Sequence, residues 1–537
     1  MTGEPSGDGR IPFTIRIGVT GHREFDHPEV LVLAVREALG RIKELVPASP
    51  GVGLVPVVIS ALAEGADRLV AEEVLAENGA RLEVALPLAR ADYLRDFRQK
   101  GSKLKFQSLI ERASYVWQAP AGLSREDSYE RAGRYVVDRS DAVIALWDGE
   151  PARGRGGTAE IVAYARERGV PLVWIKTKGD PAVCYELDTE RADVVRDAAR
   201  KLYEYNASAI GTAEFGSQAV MLRERLMPDM PADMATDPLG LSRARVADWM
   251  IPYFVRAEIL ALRHQHRFRL LSSLIFTLAA AAVAVVAIQA IFIPGWHWLA
   301  AIEVAFLLIL LSILRFNRRW HLRDRWISCR FLAERLRSGY FLALAGTGDR
   351  GGRPARLAYL SDSSEAWIER ALTEVLARRP ELDIGPPQVA PLREYLTHYW
   401  IGSQISYHEK ASSLQRKFDE GLVRATEFLF ILTLIAAFFH MLGVIHQFWE
   451  KLLIVVSIAV PAFGAAFHGI GTQRQFRHHS ERYRRMAVLL VQVREEMAQA
   501  ASLEQVREVA AQTEQIMREE NSDWFGVMRF HDMELIT

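Results

Sequence analysis

The chain has 537 residues, with 66 Lys and Arg balanced by 66 Asp and Glu, so its formal charge is zero. That length is too great for one domain and implies roughly three or four units, while the balanced charge leaves no electrostatic footprint for nucleic acid, and no nucleic-acid partner is expected. Half of the residues are apolar, and Cys184 and Cys329 stand far apart in no ligand spacing, which argues against a disulfide framework or a zinc site; no metal and no cofactor are expected.

In chain order, residues 1–13 have no apolar core; they exclude a secretory signal and predict a disordered leader. From residue 14 to 180 strands alternate with helices. Ile15–Thr20 is a strand, Gly21-His22-Arg23 a turn, and Val30–Leu45 a helix. Val55–Ser60 is the next strand, followed by Ala61-Leu-Ala-Glu-Gly-Ala-Asp67 and a helix over Arg68–Glu77. Leu82–Leu86 is a third strand, Asp92–Arg112 is helical, Tyr115–Trp117 is extended, and Asp127–Arg139 is helical. Asp141–Trp147 is an apolar strand. It runs into the loop Asp148-Gly-Glu-Pro-Ala-Arg-Gly-Arg-Gly-Gly157, an amphipathic helix from Thr158 to Arg168, and a last strand, Val170–Ile175. This alternation predicts an α/β Rossmann-like domain, a parallel sheet covered on both faces.

In such sheets ligands sit at the carboxyl ends of the strands, where three glycine-bearing loops fall here. The free N–H groups and positive dipole end of the helix after Gly157 make a seat for phosphate. Thr158 is expected to cap that helix or donate its hydroxyl. The candidate nucleotide-binding residues are Thr20, Gly21, His22, Arg23, Glu64, Gly65, Ala66, Asp67, Trp147, Asp148, Gly156, Gly157, Thr158 and Glu160. Trp147 is equally suited to stacking on a base or to packing in the core.

Three stretches, Gly18-Val-Thr-Gly-His-Arg23, Glu64-Gly-Ala-Asp-Arg-Leu-Val-Ala-Glu72 and Asp141–Glu160, carry a resemblance to the SLOG superfamily. That superfamily groups the Lonely Guy cytokinin-activating enzymes, the Smf/DprA proteins and nucleotide sensors of bacterial conflict systems. The resemblance implies a nucleotide-derived ligand. Lonely Guy enzymes hydrolyse nucleoside monophosphates with a glycine loop bearing two glutamates and an arginine on the preceding helix. Here Glu160 keeps one carboxylate, Ile161 stands in place of the second, and Arg131 and Arg134 fall off the enzyme spacing. A general acid and base need mutual reach to the substrate, so binding without turnover is expected. If the chain is instead a membrane-tethered phosphoribohydrolase or NAD-hydrolase-like enzyme, Glu160, Arg131 and Arg134 are its candidates; a nucleotide-regulated channel or transporter is the other alternative.

Residues 181–262 read as a helical connector with a break at Met227–Asp233. Leu270–Ile293 is uncharged and long enough to cross the ~30 Å hydrocarbon layer. Pro294–Trp298 is a turn with interfacial aromatics, and Leu299–Leu314 returns, ending at Arg315, Arg318 and Arg319. A second hairpin runs from Phe428 to Ile445, turns around His446–Trp449, and returns over Leu452–Ile470. Basic outer flanks and turns nearly free of basic residues place both chain ends in the cytosol. The expected location is therefore a membrane crossed four times, and the resemblance to conflict-system proteins implies the bacterial inner membrane. Glu303 is the single acidic residue inside a predicted span and His440 lies in another; ionisable groups there face a protein interior or water, or reach back to the headgroups.

Each hairpin sits between a basic lead-in and a long basic helix, over 263–345 and 401–500, which predicts one unit used twice. A helical connector is expected over 346–400, and a C-terminal helix and tail over 501–537. The segments Arg318–Trp326, Gln404-Ile-Ser-Tyr-His408 and Gln473–Arg485 make these units similar to SLATT modules, two-helix membrane domains found beside SLOG domains. The resemblance implies a cytosolic sensor of a nucleotide or cyclic-nucleotide-like signal and a membrane effector that forms pores. Four short helices leave little room for a pore within one chain, so a homo-oligomer is expected.

Overall fold

The structure, a computed structural model, describes residues 7–25, 28–47, 52–97, 99–120, 122, 124–151, 155–178, 182–227, 238–347, 366–382, 384–443 and 447–530, the last ten for their backbone alone. Part of the expected leader (1–6), the middle of the glycine loop (152–154), the break after Met227, most of the stretch 346–365, the tip of the second hairpin (444–446) and the tail beyond 530 lie outside the described residues. The chain divides into two units, Met1–Ala219 with Asp248–Arg256 and Gly348–Pro380, and Val220–Ala247 with Ala257–Thr347 and Glu381–Thr537.

The first unit is built on a seven-stranded sheet. Its elements are β1 (Phe13–Gly21), α1 (Pro28–Lys43), β2 (Leu54–Ser60), α2 (Ala66–Leu75), β3 (Arg81–Leu86), α3 (Arg90–Tyr93), α4 (Lys100–Glu111), β4 (Tyr115–Gln118), α5 (Arg125–Arg139), β5 (Ala142–Trp147), α6 (Thr158–Glu167), β6 (Leu172–Lys176), β7 (Val183–Glu186), α7 (Glu190–Ala207) and α8 (Thr212–Leu226), the last of which runs past the unit's edge. The strand order is β4-β3-β2-β1-β5-β6-β7. Successive side chains of β5 point to opposite faces. Ile144 and Leu146 join a core with Ile17, Val19, Val35 and Val70, whereas Val143 and Ala145 join Ile161, Val162 and Val137. Burial on both faces is why the parallel strands read as continuous apolar runs.

Six strands are parallel, but β7 pairs antiparallel with β6, from Leu172↔Glu186 to Ile175↔Val183, so the sheet is mixed rather than wholly parallel. β7 is four residues long and lacks an apolar run, which hid it in the sequence. It also lies past the expected boundary at 180, and so does α7, which belongs to this unit. Asn206 on α7 grips the chain ahead of β1: the Ile11 amide donates to Asn206 Oδ1 (3.1 Å) and Asn206 Nδ2 donates to the Ile11 carbonyl (2.8 Å). Ile11 is fully buried, so residues 7–12 are structured rather than a disordered leader.

The second unit is helical. Its long helices are α9 (Pro238–Phe292, which also passes through the first unit's residues 248–256), α10 (Leu299–Trp320) and α11 (Leu322–Ala345). After α12 (Ala366–Ala377), which belongs to the first unit, come α13 (Val389–Tyr395), a π-helical turn over Leu396–Gly402, α14 (Ser403–Leu442), α15 (Gln447–Arg474), α16 (Phe476–Gln499) and α17 (Leu503–Phe530). Four of these stretches are long and apolar enough to cross a membrane. Their large apolar side chains face outward, with Phe428 64% and Leu434 70% exposed, as hydrocarbon solvent allows and water does not.

The two hairpins repeat each other in backbone detail. α10 ends at His321 in the left-handed conformation (φ 45°), and α15 ends at Gln475 in the same conformation (φ 47°). A helix of 24 residues follows in each case. A non-glycine residue at positive φ is uncommon, and it stands at the corresponding joint after each hairpin.

Candidate functional site

β1 and β5 are neighbours at the point where the strand order reverses: β2, β3 and β4 lie to one side, β6 and β7 to the other. The loops leaving the two strands must diverge there and leave a crevice. The register brings Gly21 beside Leu146, and the loops are then tied by backbone bonds. The His22 amide donates to the Leu146 carbonyl (3.0 Å), and the Ala66 amide to the His22 carbonyl (3.0 Å). Gly65 is required at this junction. Its φ is +80°, and a Cβ there would sit 2.4 Å from the His22 carbonyl oxygen.

The result is a cleft of about 350 Å³ lined by all three loops. Of the sequence candidates, Thr20, Gly21, His22, Arg23, Asp67, Trp147, Asp148, Gly156, Gly157 and Thr158 line it. Glu64, Gly65, Ala66 and Glu160 stand behind it. Glu64 bonds the Ser102 hydroxyl, Ala66 is buried, and Glu160 Oε2 accepts from the Gly156 amide at 2.7 Å. Arg131 and Arg134 are exposed on α5 and do not line the cleft; Arg134 is paired with Glu130. In the membrane spans, Glu303 is half-buried near the start of α10 and His440 is exposed.

α6 opens at the cleft without a side-chain cap. Gly157 is its N-cap residue, so Thr158 is the first helical residue and not the cap expected for it. No partner among the described residues accepts from the Gly157, Thr158 or Ala159 amides. These are the groups a helix start leaves unsatisfied, and Gly157, Thr158 and Ala159 line the cleft together with Gly156, whose φ of +75° lets the loop pass within contact of Tyr129 and Glu130.

The other walls carry titratable groups. The Asp148 amide donates to His22 Nε2 (3.2 Å), which also lies 2.9 Å from Asp148 Oδ1. Trp147 lies against Trp174 (centroids 5.2 Å) and its indole N–H donates to the Glu150 carbonyl (3.0 Å), so packing holds the ring while leaving it on the cleft wall. Asp67 is almost fully buried, accepts from Ser60 Oγ (2.9 Å) and the Ala63 amide (3.3 Å), and is pushed up to about 6 by burial.

The sign of that shift gives a test. A carboxyl raised above its unfolded value of about 3.9 favours the fold in its neutral form. Its contribution is full below about pH 4 and is lost as pH rises through about 6. Asp67→Asn is expected to flatten the fall in Tm between pH 4 and pH 7; a variant retaining the wild-type slope contradicts this assignment.

Sequence reasoning missed Tyr93, Tyr129 and Arg155, which also line the cleft. Tyr93 is fully buried in a cluster with Phe97, Phe106 and Tyr129, yet its hydroxyl has no hydrogen-bond partner among the described residues. A buried hydroxyl is ordinarily satisfied, and here the cleft is where a partner can reach it. No sequence signal marks Tyr93, because its position depends on tertiary packing against Phe97, Phe106 and Tyr129. Arg155 bonds Asp127 (2.8 Å) and Glu130 (2.9 Å). Among the described residues no cluster of potential metal ligands occurs.

Fold and cleft thus define the class: a mixed Rossmann-like α/β sheet with an open switch-point crevice, in one chain with a helical region able to cross a membrane four times. Residues 398–524 match the family model described as SMODS and SLOG-associating 2TM effector domain 1. That segment, similar to a two-helix membrane effector, covers the second hairpin with the π-helical turn ahead of it and the helices that follow. No curated protein matches the chain.

Proposed function

We propose that the chain is a membrane-anchored sensor and effector of a bacterial conflict or antiphage system. The first unit is the SLOG-like sensor, and it holds a nucleotide-derived, phosphate-bearing signal. The second unit is a pair of SLATT-like hairpins, 263–345 repeating the plan of the matched segment, with both chain ends in the cytosol. Ligand shifts how protomers associate, and the assembled hairpins permeabilise the bilayer. A ligand drives this only through differential affinity for the two states. The observation that carries the reading is the uncapped start of α6 facing a cleft at the switch point, since an anion there gains both the N–H donors and the helix dipole.

Titration calorimetry of the full chain in detergent micelles tests it, against cyclic dinucleotides, cyclic ADP-ribose analogues and mononucleotides. Saturable binding of one class is expected; no heat from any of them, with Tm unchanged, removes the sensor reading.

One observation favours an enzyme instead, namely a nucleotide N-glycosidic hydrolase: the Asp67 carboxyl lines the cleft and is raised to about 6, near the range useful for proton transfer. Against it, Glu160 is committed to the Gly156 amide and neither candidate arginine lines the cleft. Chromatography of nucleotides incubated with the protein is expected to show no released base. Release that disappears in Glu160→Gln establishes the enzyme.

A further inference from the structure

The second unit contains a cavity of about 540 Å³ that the sensor reading leaves unused. It lies where the lead-in to the first span, the end of the last span and the helices after both hairpins come together, and its walls mix cations with aromatic and aliphatic side chains. Most of its charges are balanced. Arg330 pairs with Glu258 (3.2 Å) and Glu334, Arg337 with Glu334, and Arg482 with Glu520 (2.9 Å). Arg269 and Arg474 are different. Arg474 Nη2 donates to the Arg269 carbonyl (3.2 Å) and to Ser273 Oγ (2.7 Å), and its Nε is buried without a partner. Neither guanidinium has a carboxylate partner among the described residues.

Two histidines continue this wall. His408 is 6% exposed, lines the cavity, and its Nδ1 has no hydrogen-bond partner. His479 Nδ1 is likewise buried and unpartnered. Both rings stand against Tyr483, at 5.5 and 6.4 Å between centroids. Burial pushes each histidine down to about 4, helped for His408 by Arg337, Arg482 and Arg330 against the opposing pull of Glu334, and for His479 by Arg482, His478 and Arg269. Two guanidiniums without a carboxylate partner among the described residues, each over an aromatic ring (Arg269 on Trp326 and Arg474 on Phe476, both 5.9 Å), thus stand near imidazole nitrogens that have no hydrogen-bond partner among the described residues, in a cavity wall that also holds Glu258, Glu334 and Glu520.

We propose that this cavity binds a phosphate group between Arg269, Arg474, His479 and His408. Arg269 immediately precedes the first apolar span and Arg474 ends α15, so the phosphate of an anionic phospholipid reaches the cavity from the membrane edge with its acyl chains on the apolar walls. A soluble phosphate compound offers the same chemistry from the aqueous side. The guanidiniums supply charge-assisted donors, and an anion raises the histidine pKa values, so the site tightens as pH falls.

The test uses the full chain in non-ionic detergent, with dihexanoyl-phosphatidylglycerol, dihexanoylglycerol and inorganic phosphate as probes in calorimetry. The phosphatidylglycerol is expected to bind at least tenfold more tightly than the phosphate-free glycerol, and more tightly at pH 6 than at pH 8. Arg474→Gln lowers that affinity at least tenfold, while the exposed Arg416→Gln leaves it unchanged. Binding of inorganic phosphate with equal sensitivity to Arg474 assigns the soluble source; phosphatidylglycerol alone assigns the lipid. Should Arg474→Gln not remain monodisperse, His408→Gln is read in the same way. Wild-type affinity in a well-folded variant, or no binding of either phosphate probe, overturns the site. Gly157→Asp does not alter this binding, so the result is separate from the fate of the sensor cleft.

Discussion

Gly157→Asp is expected to lower the affinity of the first unit for its nucleotide-derived ligand by at least a hundredfold. The substitution puts a carboxylate at the N-cap of α6, where it caps the free amides and meets the ligand phosphate at close range. Two like charges ~4 Å apart repel by about 4 kcal/mol at the effective dielectric of a protein surface, which is two to three orders of magnitude in binding. Calorimetry of wild type and variant against the same nucleotide panel checks this. Because aspartate favours the N-cap, Tm should hold or rise, which separates loss of binding from loss of fold. Equal affinity removes the start of α6 from the site.

Arg370→Ala is expected to destabilise the first unit by about 3–5 kcal/mol, the cost of leaving one member of a buried ion pair alone. Arg370, on α12, donates to both oxygens of Asp141, at 2.8 and 2.5 Å, and Asp141 also accepts from the Arg16 amide at 2.8 Å. Burial alone would push Asp141 up; the Arg370 guanidinium outweighs it and holds the carboxyl below its usual range. The pair's contribution is therefore present above about pH 3.9 and is lost as pH falls through the folded value. The cost of Arg370→Ala should shrink below about pH 4, and Asp141→Asn in the same background should recover part of it at pH 7. Hydrogen exchange at the β1 and β5 amides reads both. An unchanged exchange rate at pH 7 contradicts the pairing.

That ion pair also shows what the sequence could convey. Around residues 141–175 the strands were legible as continuous apolar runs and the helix between them as an amphipathic segment lying between Gly157 and Gly169, and local pattern suffices for such elements. The three glycine loops were legible as neighbours because a parallel sheet forces its strand ends to one edge. Asp141 gave no sign that its partner lies 229 positions away, and nothing local assigns α12 to the first unit. β7 was hidden by its length, and residues 7–12 by depending on Asn206 rather than on their own composition. Tyr93 was unreadable for the same reason: its burial is a product of tertiary packing with Phe97 and Phe106. In the membrane region apolar length is the whole signal, so the four spans were visible, whereas the left-handed joints at His321 and Gln475 required a backbone.

Release of an entrapped dye from vesicles carrying the purified full chain, on adding the nucleotide that calorimetry identifies, measures the coupling of sensor to membrane. Wild type should leak only with that nucleotide, at concentrations matching its affinity, and Gly157→Asp should stay tight at the same dose. Leakage that is indifferent to the nucleotide, or sealed vesicles when the cleft is saturated, would contradict the account.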